Sequence, residues 1–176
     1  DAVTGLPGRE AARARLGEWL AGGRQVHALL LGFKRFDAVN MAYGPATGDA
    51  ALAEVHRVLR PGGLLYVSEP VFAGALNEVM RLFHDEQVVR AAALAALHRA
   101  IASGAWEAVS ETFFDVPVHY RDFAEFEQRM IGVTYQNHRL DAATLAAVRA
   151  RFEPHMGADG AHFVRPMRVN LLRTRD

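Results

Sequence analysis

One carboxylate, Glu69, ends the apolar run Gly63–Glu69 (GLLYVSE), whose composition is typical of a buried strand. Open α/β sheets bind their ligands at the carboxyl ends of the strands. A carboxylate at that place orients an amine or hydroxyl group of a substrate, or acts as a general base when its pKa is raised. The alternative is a strand-end residue paired with an arginine, and the sequence leaves both interpretations open.

Three titratable side chains, His84-Asp85-Glu86, stand together at the start of a predicted long helix. His84 is a candidate base, and Glu86 is a candidate substrate ligand. The alternative is a helix start, because acidic side chains are favourable at the positive N-terminal end and Asp85 is a suitable cap. Glu69, His84 and Glu86 are therefore the candidate substrate-binding residues, and the sequence assigns no catalytic residue.

Asn40 and Asp49 are candidates for binding a nucleotide, because an amide and a carboxylate together can read the edge of a guanine base. The segment between them contains Gly44, Pro45 and Gly48, which favour turns. The alternative is that Asn40 and Asp49 serve as turn and N-cap residues there.

The residue types exclude several other kinds of site. With no cysteine, the chain has no disulfide, no thiolate zinc site and no cysteine nucleophile. The eight histidines include no H-E-x-x-H motif and no pair four residues apart on a helix, so no metal site is predicted. A G-x-S-x-G elbow and a Walker loop are also missing, which excludes the common hydrolase and nucleoside triphosphatase motifs.

The composition is that of a globular protein of 176 residues, with 51% hydrophobic and 23% charged residues. Twenty basic and 20 acidic residues give a formal net charge of zero, which argues against nucleic acid or an anionic membrane as a partner. The apolar stretches Val26–Phe33 and Ala91–Leu97 are too short to span a bilayer. No signal peptide is visible, so we expect a soluble, cytoplasmic protein.

These candidate residues need elements to position them, and strands alternate with helices along the chain. The pattern predicts the α/β class, with a layered (Rossmann-like) sheet flanked by helices in a single compact domain. A first helix opens at Pro7 and ends at Gly22-Gly23. The predicted strands are Val26–Phe33, Gly63–Glu69, Thr112–Tyr120 and His162–Arg173. The later predicted helices are Ala50–Leu59, Leu76–Phe83, Glu86–Ala102, Phe123–Ile131 and Ala142–Phe152.

Within these elements, three residues give specific expectations. Pro117 has no N–H to donate to a neighbouring strand, so it places Thr112–Tyr120 at an edge of the sheet. Asp122 and Asp141 each precede a helical pattern and are predicted to cap it with the side chain.

The start of the chain resembles the GGDEF domain, the fold of the diguanylate cyclases. Asp1–Arg9 (DAVTGLPGR) is similar to that family's D-x-L-T-G-L-x-N-R entry motif, and Leu29–Phe36 (LLLGFKRF) is similar to its first strand, L-L-x-x-D-x-D-x-F. Val39–Gly44 and Gly48–Leu52 resemble its I-N-D-x-Y-G and G-D-x-x-L segments. The resemblance implies that Asn40 and Asp49 are positions that contact guanine.

Several positions depart from the GGDEF pattern. The two metal-binding aspartates of the first strand are replaced by Gly32 and Lys34, and the aspartate after Asn40 is replaced by Met41. No Gly-Gly-Asp-Glu-Phe segment is present. Since hard cations need oxygen ligands, we expect no diguanylate cyclase activity. The resemblance instead implies a degenerate, non-catalytic signalling module that binds a guanine nucleotide or a partner protein.

The rest of the chain resembles another family, the class I S-adenosylmethionine-dependent methyltransferases. Leu52–Leu65 (LAEVHRVLRPGGLL) is similar to their L-x-E-x-x-R-V-L-x-P-G-G-x-L stretch, a helix, a turn and a central strand. Later segments are similar to the C-terminal half of such an enzyme: Phe83–Glu86, Asp122–Glu127 and Pro166–Leu172. The resemblance implies S-adenosylmethionine as cofactor and methyl transfer to a small molecule. The family's G-x-G-x-G cofactor turn has no counterpart among the 15 glycines.

We therefore interpret the chain as a composite. Residues 1–57 are the degenerate GGDEF-like segment, residues 52–176 are the C-terminal part of a methyltransferase-like domain, and the two share a helix at 50–59. The leading hypothesis is an impaired methyltransferase-like protein, and the alternative is the non-catalytic GGDEF-type module. Parallel strands around Val26–Phe33 and Gly63–Glu69 would favour the first hypothesis, and a mainly antiparallel sheet would favour the second.

Overall fold

The computed structural model describes residues 46–132 and 140–175, together with residues 14, 17, 18 and 21–23. The chain divides into two compact units, residues 1–34 and 35–176. In the first unit, residues 14, 17, 18 and 21 are helical. The N–H of Gly22 donates to the carbonyl of Glu18 at 3.0 Å, and Gly23 has a φ of 71°. This turn agrees with the predicted end of the first helix.

The described part of residues 35–176 contains five α-helices and four strands. The helices are α1 (Ala46–Val58), α2 (Ala75–Met80), α3 (Gln87–Ala102), α4 (Phe123–Phe126) and α5 (Ala142–Phe152). The strands are β1 (Leu64–Pro70), β2 (Trp106–Tyr120), β3 (Met156–Gly157) and β4 (Gly160–Thr174). A π-helical turn, Glu127–Ile131, follows α4, and a 3₁₀ turn, Glu153–His155, follows α5. None of the described helices has a run long and apolar enough to cross a membrane.

The four strands form one open sheet in the order β1-β4-β2, with β3 paired to β4. All the described pairs are antiparallel. Because β1 and β2 both run antiparallel to β4, they run parallel to each other. The predicted strand Val26–Phe33 lies outside the described residues, so its pairing with Gly63–Glu69 stays a prediction. A sheet flanked by helices confirms the predicted α/β class.

Helix capping explains where two of these helices, α4 and α5, begin. The side chain of Asp122 accepts the N–H of Glu125 at 2.8 Å, and the side chain of Asp141 accepts the N–H of Thr144 at 2.7 Å. Both predicted caps are therefore confirmed.

The long helix α3 begins one residue later than predicted. Its N-cap residue is Glu86, whose side chain makes no capping hydrogen bond. Asp85 Oδ1 instead accepts the N–H of Gln87, at 2.9 Å. The carboxylate of Asp85 thus still satisfies a free N–H of the first turn, from outside the helix.

Two apolar clusters hold the sheet and the helices together. One contains mainly aromatic side chains from β2, β4 and the later helices: Tyr120, Phe123, Phe126, Phe152 and Phe163, with Leu76, Val79 and Val148. The other is built around Val55, Leu97, Trp106 and Leu172, where α1 and α3 pack together beside the sheet. Between the two clusters β4 carries buried polar residues, and these lead to the candidate site.

Candidate functional site

Glu69, near the end of β1, lies directly opposite Arg168 of β4 in the antiparallel ladder. Arg168 Nη2 donates to Glu69 Oε2 at 3.1 Å, and the side chains are 10% and 29% exposed, respectively. Burial raises the pKa of the Glu69 carboxyl, and the nearby guanidinium groups of Arg168 and Arg90 partly offset this effect. The structure therefore shows the second interpretation of Glu69, a strand-end carboxylate paired with an arginine.

Two polar atoms on β4 remain without partners beside this ion pair. Arg168 Nε and Asn170 Oδ1 are buried and have no hydrogen-bond partner among the described residues. The other atoms of the Asn170 amide are engaged, since Nδ2 donates to Glu111 Oε1 at 3.0 Å. Buried polar atoms are normally satisfied by protein, water or a ligand, so this donor and acceptor are exceptions within the described residues.

Arg90 of α3 connects the pair to the loop that follows β1. Its Nη1 donates to the carbonyl of Val71 and to Asn77 Oδ1, both at 3.4 Å, and its Nη2 pairs with Glu86. Its guanidinium also lies 5.9 Å from the centre of the Phe72 ring. Asn77 in turn donates to the carbonyls of Val71 and Ala73, which fixes the loop against α2.

Glu86 is shared between Arg90 and His84. His84 Nε2 lies 3.1 Å from Glu86 Oε1, and both side chains are mostly buried. The hydrogen bond with His84 lowers the pKa of Glu86 to about 2, with Arg90 adding to this effect and burial opposing it. We call Glu69, His84, Glu86, Arg90 and Arg168 the Glu69 network. It brings together all three substrate-binding candidates that were chosen from the sequence.

The lowered pKa of Glu86 makes a prediction for acid stability. A depressed carboxyl pKa stabilises the folded state above the unfolded value, and that contribution is lost as the pH falls from 4.5 towards about 2. Over that range the free energy of unfolding of the wild type should fall by about 2–3 kcal/mol more than that of Glu86→Gln. Urea unfolding of the wild type and of Glu86→Gln, at neutral pH and at pH ~3, measures this difference in stability. Equal losses of stability in the wild type and Glu86→Gln would contradict the assignment.

Of the two nucleotide-binding candidates, the structure describes Asp49. Asn40 lies outside the described residues. Asp49, in the first turn of α1, receives two hydrogen bonds from the Arg99 guanidinium of α3, at 3.1 and 2.8 Å. This pair raises the pKa of Arg99, and a guanine base would have to compete with it for Asp49. The role of Asp49 in nucleotide binding stays a prediction.

Sequence reasoning did not find three members of the site, Arg90, Arg168 and Asn77. Arg90 stands four residues after Glu86 on α3, a spacing typical of helical ion pairs, so the sequence contained a signal for it. Arg168 depends on the register of β1 and β4, which no local pattern encodes.

The described residues show no glycine-rich turn of the kind that holds S-adenosylmethionine in the methyltransferases, and this cofactor stays a prediction. Its family binds it on a loop of closely spaced glycines that follows a strand, and the sequence contains no two glycines in G-x-G spacing. Among the described glycines with positive φ, Gly74 alone follows a strand and precedes a helix. A Cβ there would lie 3.6 Å from the carbonyl oxygen of Val164, an ordinary van der Waals distance, and both residues line a surface groove.

Comparison with known proteins bears on the start of the chain. Residues 1–62 match the family model described as diguanylate cyclase, GGDEF domain. Over 63 residues, 34% of this chain, the sequence is 43% identical to the uncharacterized protein y4lL of Sinorhizobium fredii (strain NBRC 101917 / NGR234), and the match covers 8% of that relative's length. The N-terminal segment is therefore similar to a GGDEF domain, and that similarity ends before β1 begins.

Proposed function

We propose that residues 52–176 form the substrate-side half of a domain similar to the class I methyltransferases, and that this half binds a small polar molecule at the Glu69 network. The observation that carries the proposal is the convergence of Glu69, His84 and Glu86. Glu69 pairs with Arg168, Glu86 pairs with His84 and Arg90, and the charge of Arg90 also acts on the Glu69 carboxyl, so the three candidates lie near the carboxyl end of β1. Open α/β sheets bind ligands at such ends.

All the described strand pairs are antiparallel, which by itself favours the GGDEF-type alternative, so the support for the present proposal comes from the connection between β1 and β2. In the described sheet, β1 and β2 run parallel to each other and β4 lies antiparallel between them. The crossover from β1 to β2 contains α2 and α3, and a helical crossover is the usual connection between strands of the same direction.

The charges of the network indicate the chemistry of the ligand. Two guanidinium groups, Arg90 and Arg168, suit a carboxylate, because an arginine binds both of its oxygens. Glu69, with part of its side chain exposed, suits an amine or a hydroxyl group. The best candidate is therefore a small amino or hydroxy acid. Because the sequence has no closely spaced glycines for S-adenosylmethionine, methyl transfer by this chain alone is not expected.

Thermal unfolding with a set of defined probes tests the proposal, because a ligand that binds only the folded state raises the melting temperature. The probes are glycine, serine, lactate, S-adenosylmethionine and S-adenosylhomocysteine. We expect at least one of the small acids to raise the melting temperature by several degrees, roughly the effect of 2–3 kcal/mol of linkage. Neither methyl-donor form should do so.

The matched variants are Glu69→Gln and Glu107→Gln. Glu107 pairs with Arg173 on the same central strand at 3.2 Å, but that pair is exposed. The ligand-induced shift should disappear in Glu69→Gln and persist in Glu107→Gln. A shift that is equal in both variants, or the lack of a shift with every small acid, would refute binding at this network.

The family match over residues 1–62 favours a second candidate function, the binding of a guanine nucleotide by the N-terminal segment. The same assay includes GTP and cyclic di-GMP. Binding should weaken in Asn40→Ala and in Asp49→Ala, whereas Arg99→Ala frees the Asp49 carboxylate and should not weaken it. If neither nucleotide shifts the wild-type melting temperature, this candidate is eliminated.

A further inference from the structure

Two histidines and an aspartate converge at the hairpin between β3 and β4, away from the Glu69 network. His119 of β2 lies directly opposite His162 of β4 in the ladder, and their ring centres are 4.7 Å apart. Asp159 stands in the turn that connects β3 to β4. One potential ligand atom from each of the three side chains lies within 4.8 Å of the other two. Within the described ranges, these three side chains form the group whose geometry could hold a metal ion.

The turn itself holds these three residues in place. His119 Nε2 lies 2.8 Å from the carbonyl oxygen of Asp159, and His162 Nε2 lies 3.1 Å from Asp159 Oδ1. The next residue, Gly160, has a φ of 122°, a conformation that other residues rarely adopt. A Cβ at Gly160 would overlap both His119 Nε2 and the carbonyl oxygen of Tyr120. The bare α-carbon therefore allows the turn to close tightly over the His119 ring.

We propose that His119, Asp159 and His162 bind a divalent transition-metal ion, with Zn²⁺ as the best fit. Imidazole nitrogens and a carboxylate oxygen are ligands that Zn²⁺ accepts at roughly 2.0–2.2 Å. In a tetrahedral site the donor atoms are about 3–4 Å apart, so closing around the ion requires a movement of about 1 Å. The His162 and Asp159 side chains are 60% and 77% exposed, so they have room for this movement.

Binding of the metal exchanges the hydrogen bonds of these three residues for coordination bonds. The metal replaces the contact between His162 and Asp159 and, where His119 binds through Nε2, the contact of that atom with the Asp159 carbonyl; exposed contacts of this kind contribute little to stability. Three protein ligands leave one tetrahedral position for water or another molecule. His162 also lines a surface groove of about 350 Å³ together with Gly74, Asp115 and Val164, which gives such a molecule space beside the metal.

Metal titration of the full chain, without any polyhistidine tag, tests this inference. Calorimetry with Zn²⁺ should give one site per chain at this position. Co²⁺ should give the visible absorption of a low-coordinate site with nitrogen and oxygen ligands. His119→Gln, His162→Gln and Asp159→Asn should each weaken Zn²⁺ binding at least about tenfold, the scale on which ligand-shell changes act. Far-ultraviolet circular dichroism verifies that each variant is folded.

The matched control is His98→Gln, which removes an exposed histidine from α3 and should leave the affinity unchanged. The proposal is overturned if the wild type binds no Zn²⁺ in tenfold excess. It is equally overturned if the folded double variant His119→Gln/His162→Gln binds Zn²⁺ as tightly as the wild type. The inference is independent of the proposed function, because no residue of the Glu69 network takes part.

Discussion

Truncation of Glu69 to alanine is expected to lower the free energy of unfolding by about 3–5 kcal/mol. The variant removes the partner of Arg168, whose side chain is 10% exposed and already has one buried nitrogen without a hydrogen bond. Removing one partner of a buried ion pair leaves an uncompensated charge away from water, which costs more than the pair contributed. Urea unfolding at neutral pH measures the change.

Glu107→Ala is the matched control, because Glu107 pairs with Arg173 across β2 and β4 at the surface. Exposed pairs are worth about 0–1 kcal/mol, so this variant should cost much less. The double variant Glu69→Leu/Arg168→Met should recover most of the loss, because apolar side chains can replace a buried pair. If Glu69→Ala costs no more than Glu107→Ala, Arg168 is solvated and the site is an ordinary surface pair.

Phe152→Ala should have an effect of similar size, about 3–5 kcal/mol. Phe152 ends α5, is completely buried, and has four aromatic neighbours in the first apolar cluster. The distances from its ring centre to those of Tyr120, Phe123, Phe126 and Phe163 are between 5.0 and 6.1 Å. The truncation leaves a cavity where four elements meet, and denaturant unfolding measures the resulting loss of stability.

Phe113→Ala tests whether burial is the cause, since it deletes the same side chain from β2 at a position that is 62% exposed. We expect it to cost about 1 kcal/mol or less, the range of strand propensity. Similar losses at Phe152 and Phe113 would mean that the aromatic cluster is not the main source of stability in this part of the chain.

The elements that were predicted well are those whose ends are determined locally. The helix Ala142–Phe152 was predicted with both boundaries correct, because the Asp141 side chain caps its first turn. The predicted start of the strand at Thr112 was six residues late. The side chains of 108–111 are all exposed and give no alternating pattern, while their backbone is held by β4 more than fifty residues away.

Of the candidate site, only the two glutamates and the histidine were predicted from the sequence. Glu69 and Glu86 were recognisable because a strand end and a helix start are local features of sequence. Arg168 lies 99 residues from Glu69, and the strand register that pairs them is a property of the whole sheet. The His119 and His162 pair was missed for the same reason, since only helical spacing of histidines can be recognised in the sequence itself.

The central position of β4 has a consequence for the order in which the molecule forms. β4 is the last of the described strands in the chain, yet β1 and β2 each pair with it and not with each other. Since a ribosome adds about 5–20 residues per second, β1 waits several seconds for its partner during synthesis. Until then the backbone groups on the edge of β1 that β4 later covers are open to association with other chains. The helices α1 and α3, both complete before β4 is made, are the described elements able to shield β1 during that interval.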